Sequence, residues 1–354
     1  MDAIGLSGVR VVHRGVTVLD SVTLNVARGE RLGLMGSSGS GKTSLMRVMA
    51  GLNRPAAGEV RVNGEAGVGR RRQVTMIFSQ DAVYDHLDVE GNLDFPFRVT
   101  EDSPDRHARI ADTADQFSLH RLMDRKPSTL SAGQRRVVAA ARALVRPEVE
   151  VVLMDEPLVG TDPHRRQLLV EAVMARPDLT VVLATNDPAD AFRWCDRIAV
   201  LAEGRVAQAG SPPDVYRDPC SLEVAEMIGE LNRVPATVRR GAEWMVEVGG
   251  STLALDPVPA GLVEGQRVVV GLRPGALTVA SPGAPFERCL RGTVGRVEPL
   301  GARSRVLFGL GDKPGVAFVA EVPDESRPKV GTRVDWLAPP DAIGLYDPIT
   351  GLRL

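Results

Sequence analysis

The chain has 354 residues, more than one hydrophobic core ordinarily serves, and this predicts two domains. Apolar residues make up 44% and charged residues 25%, an ordinary globular balance that excludes a disordered chain. A net charge of -2 supplies no basic field, which argues against sequence-independent nucleic-acid binding.

Lysine is confined to Lys42, Lys126, Lys313 and Lys329, with arginine carrying the rest of the positive charge, so the placement of Lys42 is informative. Cys195, Cys220 and Cys289 are scattered and form no CxxC pair. Neither a disulfide framework nor a zinc site is expected, and a reducing cytoplasm fits. The N-terminus has no signal-peptide pattern, and no stretch approaches the roughly 20 apolar residues that span a bilayer. Service to a membrane is therefore expected from its side, through partners.

In chain order, residues 9–12, 16–19 and 22–26 read as short strands, and residues 31–35 as an apolar strand entering a Gly/Ser loop. A helix is predicted over 43–49, closed by Gly51. Apolar spacing at Ile110, Ala114, Phe117 and Leu122 predicts a helix over 103–123, and a second runs over 132–145, stopped before Pro147. Residues 149–154, 179–184 and 198–201 have strand length and strand composition. Alternation of strands and helices predicts a mainly parallel sheet covered by helices. Near residue 232 the pattern changes to short alternating strands and many turns, which predicts a small β barrel or sandwich.

Gly36-Ser37-Ser38-Gly39-Ser40-Gly41-Lys42-Thr43 satisfies G-x-x-x-x-G-K-[ST] in full. A strand delivers the chain to a loop whose backbone N–H groups converge, and glycines permit positive φ and close approach to phosphate. The following helix offers its N-terminal partial charge to the same anion. Lys42 is placed to neutralise β- and γ-phosphate charge, and the Thr43 hydroxyl to ligate Mg²⁺. Val151-Val152-Leu153-Met154-Asp155-Glu156 supplies the second element such a site needs: Asp155 to hold the metal through water, Glu156 to polarise an attacking water.

Leu130-Ser131-Ala132-Gly133-Gln134, just before a helix and ahead of the acidic strand, resembles the LSGGQ signature of ABC ATPases, with Ala132 in place of the first glycine. The resemblance implies a P-loop ABC ATPase domain over 1–232, with a helical subdomain about 85–148, followed by an OB-like regulatory domain over 233–354. It implies two ATP molecules, with Mg²⁺, sandwiched in a head-to-tail dimer: Ser131, Gly133 and Gln134 of one subunit face the nucleotide held by the P-loop of the other, with Ser44 joining the loop. Gln80 resembles the Q-loop glutamine, which senses Mg²⁺ and couples to membrane subunits. Asp162 in Gly160-Thr161-Asp162 resembles the D-loop aspartate. The stretches 84–89 and 92–98 resemble the region of importer subunits where a coupling helix docks. Residues 212–216 and 229–232, Gly271-Leu272-Arg273-Pro274 and the closing segment 346–354 resemble the sugar, polyamine and sulfate importer branch.

Two positions depart from the family pattern. The switch position that normally holds histidine is Asn186, which donates amide hydrogen bonds but carries no proton. His13 stands where the family often places an aromatic ring against adenine. The resemblance thus implies an ATP-hydrolysing importer subunit at the cytoplasmic face of the plasma membrane. Its implied partners are two transmembrane permease subunits, a second ATPase subunit and, indirectly, an extracytoplasmic solute-binding protein. Carbohydrate is the leading solute class, with polyamine or sulfate as alternatives. The second ATPase subunit is either another copy or a different chain, in which case this one is a weakly hydrolysing half. Long coiled-coil insertions and a second cassette, the marks of non-transport ABC ATPases, are absent from the sequence.

Overall fold

The computed structural model describes residues 2–67, 72–78, 83–98, 105–157, 163–281, 283–311 and 317–354. By spatial contact the chain divides into the units Met1–Pro212 and Pro213–Leu354. Residues 213–232, whose sequence pattern still reads as the first unit, therefore pack with the second.

The first unit opens with an antiparallel hairpin, β1 (Asp2–His13) and β2 (Val16–Ala27), joined by Arg14 and Gly15. Both turn residues have positive φ, 49° and 82°, the geometry that matches the twist of the flanking strands. Sequence runs that read as two strands over 16–26 form one, because irregular pairing and Ser21 at φ 54° bend it without ending it. After β3 (Arg31–Met35) and α1 (Lys42–Met49), β4 (Ala57–Val62) and β5 (Glu65–Ala66) complete a four-stranded sheet in the order β2-β1-β4-β5.

The central sheet takes β3, β6 (Val74–Ile77), β7 (Val151–Asp155), β8 (Thr180–Ala184), β9 (Arg197–Ala202) and β10 (Arg205–Gly210) in the order β10-β9-β3-β8-β7-β6. All its pairings are parallel except β9 with β10. Every residue of β7 and β8 is buried, as expected of strands covered on both faces. The period of two sorts them: Val151 and Leu153 join the core shared with α1 and the hairpin, while Val152 and Met154 join the helical core on the other side. That helical core is built from α2 (Val89–Arg98), α3 (Arg106–Gln116), α4 (Ala132–Leu144) and α5 (Pro163–Met174), and α6 (Pro188–Trp194) packs against β3.

The helix expected to reach residue 123 stops at Gln116. Ser118 adopts φ 53°, its N–H bonds to the Asp115 carbonyl, and Leu119 N–H reaches Ala114 at 2.7 Å. This left-handed cap usually recruits glycine. Serine in that role leaves no stop signal in the sequence.

The second unit carries α7 (Pro212–Arg217) and α8 (Leu222–Ile228), then ten strands in two antiparallel five-stranded sheets. β11 (Asn232–Arg240), β12 (Trp244–Val248), β13 (Ser251–Ala254), β14 (Arg267–Leu272) and, later, β20 (Gly344–Tyr346) form the first. β15 (Thr278–Val279), β16 (Cys289–Pro299), β17 (Arg303–Leu310), β18 (Ala317–Pro323) and β19 (Arg333–Leu337) form the second. Trp336, stacked on Phe308 at 4.5 Å, centres their common core.

Candidate functional site

β3 leads directly into the Gly36–Thr43 loop, and two glycines there are required on steric grounds. A Cβ on Gly36 would lie 2.5 Å from the Leu201 carbonyl oxygen, and one on Gly41 2.6 Å from Leu19 Cδ2. Gly41 also caps α1 at φ 105°, where side chains are strained. No side chain caps this helix, so its first-turn N–H groups remain for an anion. Gly36→Ala is expected to lower the unfolding free energy by about 1–3 kcal/mol, because backbone rather than a flexible side chain must move; chemical denaturation checks it.

Lys42 is buried and folds back on its own loop, donating to the Gly36 carbonyl at 2.7 Å and the Ser37 carbonyl at 3.1 Å. Its third donor reaches Asn186 Oδ1 at 2.8 Å, and Asn186 Nδ2 donates to Glu156 Oε1 at 2.6 Å. One amide therefore bridges the phosphate-loop lysine to the carboxylate beside the acidic strand. Burial pushes the Lys42 ammonium below the usual lysine value, while Glu156 and Asp155 pull it back up.

Asp155 ends β7 with 5% exposure and accepts no side-chain hydrogen bond among the described residues. Glu156 turns out of the strand at φ 48°, anchored by its N–H to the Ala184 carbonyl at 3.0 Å. The Ser40 hydroxyl is buried without a partner in the same loop. A buried carboxylate and an unpartnered buried hydroxyl beside an ammonium and a free helix terminus fit a nucleotide phosphate with a hard metal. Thr43 is exposed on the first turn of α1, Ser44 follows half-buried, and Ser37, Ser38 and Gly39 are exposed at the loop's rim.

The other expected residues fall in separate places. Ser131 caps α4 through a reciprocal pair, its Oγ accepting from Gln134 N–H at 3.2 Å and Gln134 Oε1 accepting from Ser131 N–H at 2.9 Å. Gly133, one residue inside, is half-buried. The pair fixes the helix mouth and leaves the first two amides of the helix outward. Ser131→Ala is expected to destabilise the fold by about 1 kcal/mol, read by denaturant titration. His13 is exposed at the hairpin tip, paired with Val16, on the hairpin whose Val18 and Leu19 abut Gly41. Gln80 and Asp162 lie outside the described residues.

A groove that sequence reasoning had placed only by resemblance is visible on the helical side. It measures 520 Å³ and is lined by Phe78, Tyr84, Phe95, Pro96, Arg142 and Arg146, among others. Its shape depends on Asn92, fully buried, which accepts from Tyr84 N–H at 2.8 Å and donates to the Tyr84 and Asp88 carbonyls at 3.1 and 2.8 Å. Tyr84 is thereby held against Phe95 (4.2 Å) and under Arg142 (4.6 Å). The resemblance took in the stretch 92–98 without giving Asn92 a role of its own, since a buried amide inside a helix reads as an ordinary polar face.

Comparison with known proteins agrees with this geometry. Residues 19–159 match the ABC transporter family and residues 270–344 the TOBE domain. The chain belongs to the ATP-binding subunits of ABC transporters, and it is an ATP-binding, ATP-hydrolysing member of that family. It is 34% identical to the sn-glycerol-3-phosphate import ATP-binding protein UgpC of Paracoccus denitrificans, over 100% of this chain and 99% of that one. It is 35% identical to the glucose import ATP-binding protein GlcV of Saccharolobus solfataricus over 75% of this chain and 76% of that one. It is 34% identical to the xylose/arabinose import protein XacK of Haloferax volcanii over 95% and 90%. Among solved structures, an ATP-binding subunit of an ABC transporter superposes with a TM-score of 0.56 at 27% identity, covering 61% of this chain and 92% of that one. No helix among the described residues is long and apolar enough to cross a membrane.

Proposed function

We propose that this ATPase powers the import of a small solute, with carbohydrate as the class, through a membrane complex to which it attaches at the cytoplasmic face. The solute class rests on the relatives, whose names specify glycerol-3-phosphate, glucose and xylose/arabinose import. The single observation that carries the motor assignment is the Lys42–Asn186–Glu156 chain of hydrogen bonds across the mouth of the phosphate loop.

Lys42 exchanges its bonds to its own loop for β- and γ-phosphate oxygens. Glu156 accepts a proton from the attacking water, with Asn186 orienting its carboxylate. Thr43 and Asp155, with Gln80, would hold Mg²⁺, which when bound neutralises charge developing on the transferred phosphoryl group. The loop amides of residues 36–43 with Ser44 cradle the phosphates, His13 stacks on the base, and the α4 mouth at Ser131, Gly133 and Gln134, with Asp162, completes the site of a facing subunit.

Residues 1–232 would form the motor and 233–354 its regulatory domain. The 520 Å³ groove, with three aromatic rings and three arginines, supports docking of a helix from one of two permease subunits, the second subunit docking on the partner ATPase and a solute-binding protein supplying both. The test is ATP turnover and solute uptake in reconstituted complex. Asn92→Ala is expected to lower uptake per ATP hydrolysed by severalfold while basal turnover of the isolated chain is kept. Unchanged stoichiometry would remove the groove from the coupling path.

Asn186 supports a second reading, pairing with a different ATPase chain whose own switch residue is charged. Counting distinct ATPase chains in the purified complex separates the two.

A further inference from the structure

The second unit carries a groove of 1110 Å³ across the seam between its two sheets. The seam is bridged by the buried Ser251 hydroxyl of β13, which accepts from Arg291 N–H of β16 at 3.0 Å. A Cβ on Gly311 would lie 2.9 Å from the Gly249 carbonyl oxygen, so backbone meets backbone there.

Four arginines line the groove. Arg267 pairs in register with Thr237, two residues from Arg239 on the same outer face of the first sheet. Arg333 pairs with Thr293 and Asp335 with Arg291, which sets Arg291 and Arg333 diagonally on the outer face of the second. Two carboxylates accompany them, and each is taken. Glu247 accepts from Arg239 Nε and Nη2 at 2.8 and 2.7 Å, and Asp335 accepts from Arg291 Nε at 2.9 Å. Arg267 and Arg333 make no ion pair or side-chain hydrogen bond among the described residues. Two positive charges are therefore left over. Beside Thr237 and Ser251 the lining carries the apolar Pro235, Val269, Leu310, Pro348 and Phe286, which is 50% exposed with the Arg291 guanidinium stacked on it at 4.4 Å.

We propose that this groove binds a small organic phosphate ester, its dianionic head on Arg267 and Arg333 and its carbon body along Phe286 and the apolar floor. A phosphate monoester carries close to two negative charges at neutral pH, matching the excess. Guanidinium forks match phosphate oxygens in pairs. The volume is that of an organic-ligand site and leaves a bare ion mostly in water. The site is independent of which solute the complex imports.

Calorimetry on the full chain tests this, with the phosphate loop first filled by a non-hydrolysable ATP analogue. The probe is glucose 6-phosphate, beside inorganic phosphate and glucose. The ester is expected to bind and both comparators to bind at least tenfold more weakly. The double variant Arg267→Gln/Arg333→Gln is expected to weaken binding about tenfold or more. Arg240→Gln, which stacks on Trp244 outside the groove, is expected to leave it unchanged. Thermal unfolding confirms that both variants are folded. Absence of binding, equal binding of inorganic phosphate, or undiminished binding by the double variant overturns the proposal, and none of these results bears on ATP turnover.

Discussion

Glu156→Gln is expected to reduce steady-state ATP hydrolysis by about 10²–10⁴-fold while ATP still binds. The carboxylate is held for one task. Its backbone leaves β7 at φ 48°, its N–H is tied to Ala184, and one oxygen is fixed by Asn186. That leaves the second oxygen for the attacking water. Glutamine keeps the size and the backbone anchor, and with its carbonyl oxygen toward Asn186 it keeps that bond too, but it accepts no proton. Phosphate release with Mg-ATP, measured beside equilibrium binding of a fluorescent ATP analogue, separates the chemical step from binding. A fall in both together would assign Glu156 a structural role.

Lys42→Ala is expected to weaken ATP affinity by about 100-fold or more, because charge-assisted bonds to phosphate contribute roughly 1.5–3 kcal/mol each. The empty protein should respond in the opposite sense. Lys42 is buried with a lowered pKa, so the unfolded chain holds its proton more tightly than the folded one. Its contribution to stability therefore rises with pH between the folded value and the ordinary lysine value near 10.5. Removing the ammonium is expected to flatten that alkaline rise, and bound ATP, by restoring a counter-charge, should do the same. Denaturant titrations across the alkaline range with and without nucleotide provide the check, and a rise unaffected by Lys42→Ala would assign it to another group.

The phosphate loop, the acidic strand and the signature were legible because each is a short run whose chemistry is fixed by spacing. Gly36 and Gly41, Lys42, Asp155 and Glu156 all lie within two such runs, and the parallel strands β3 and β7, one strand apart, place them at the same edge of the central sheet. The Asn186 bridge was not legible. Asn186 is 144 residues from Lys42 and 30 from Glu156, and only the parallel order β3-β8-β7 brings the end of β8 between them. The early end of α3 was missed for a local reason, since Ser118 performs a glycine's role. The arginine groove was invisible for another: its four arginines come from four strands of two sheets, and in a chain where arginine supplies nearly all positive charge no single one stands out. Period-two patterns showed which face of each strand is polar, but not which polar faces meet.

The most direct test of the account is phosphate release from the purified full chain with Mg-ATP over a range of protein concentrations. A chain that closes on a second copy of itself, P-loop to α4 mouth, should turn over ATP with a rate that rises more steeply than linearly with protein and saturates once paired. ATP binding without phosphate release at any concentration would contradict it, and would leave the Lys42–Asn186–Glu156 chain as a binding device that needs another subunit to do chemistry.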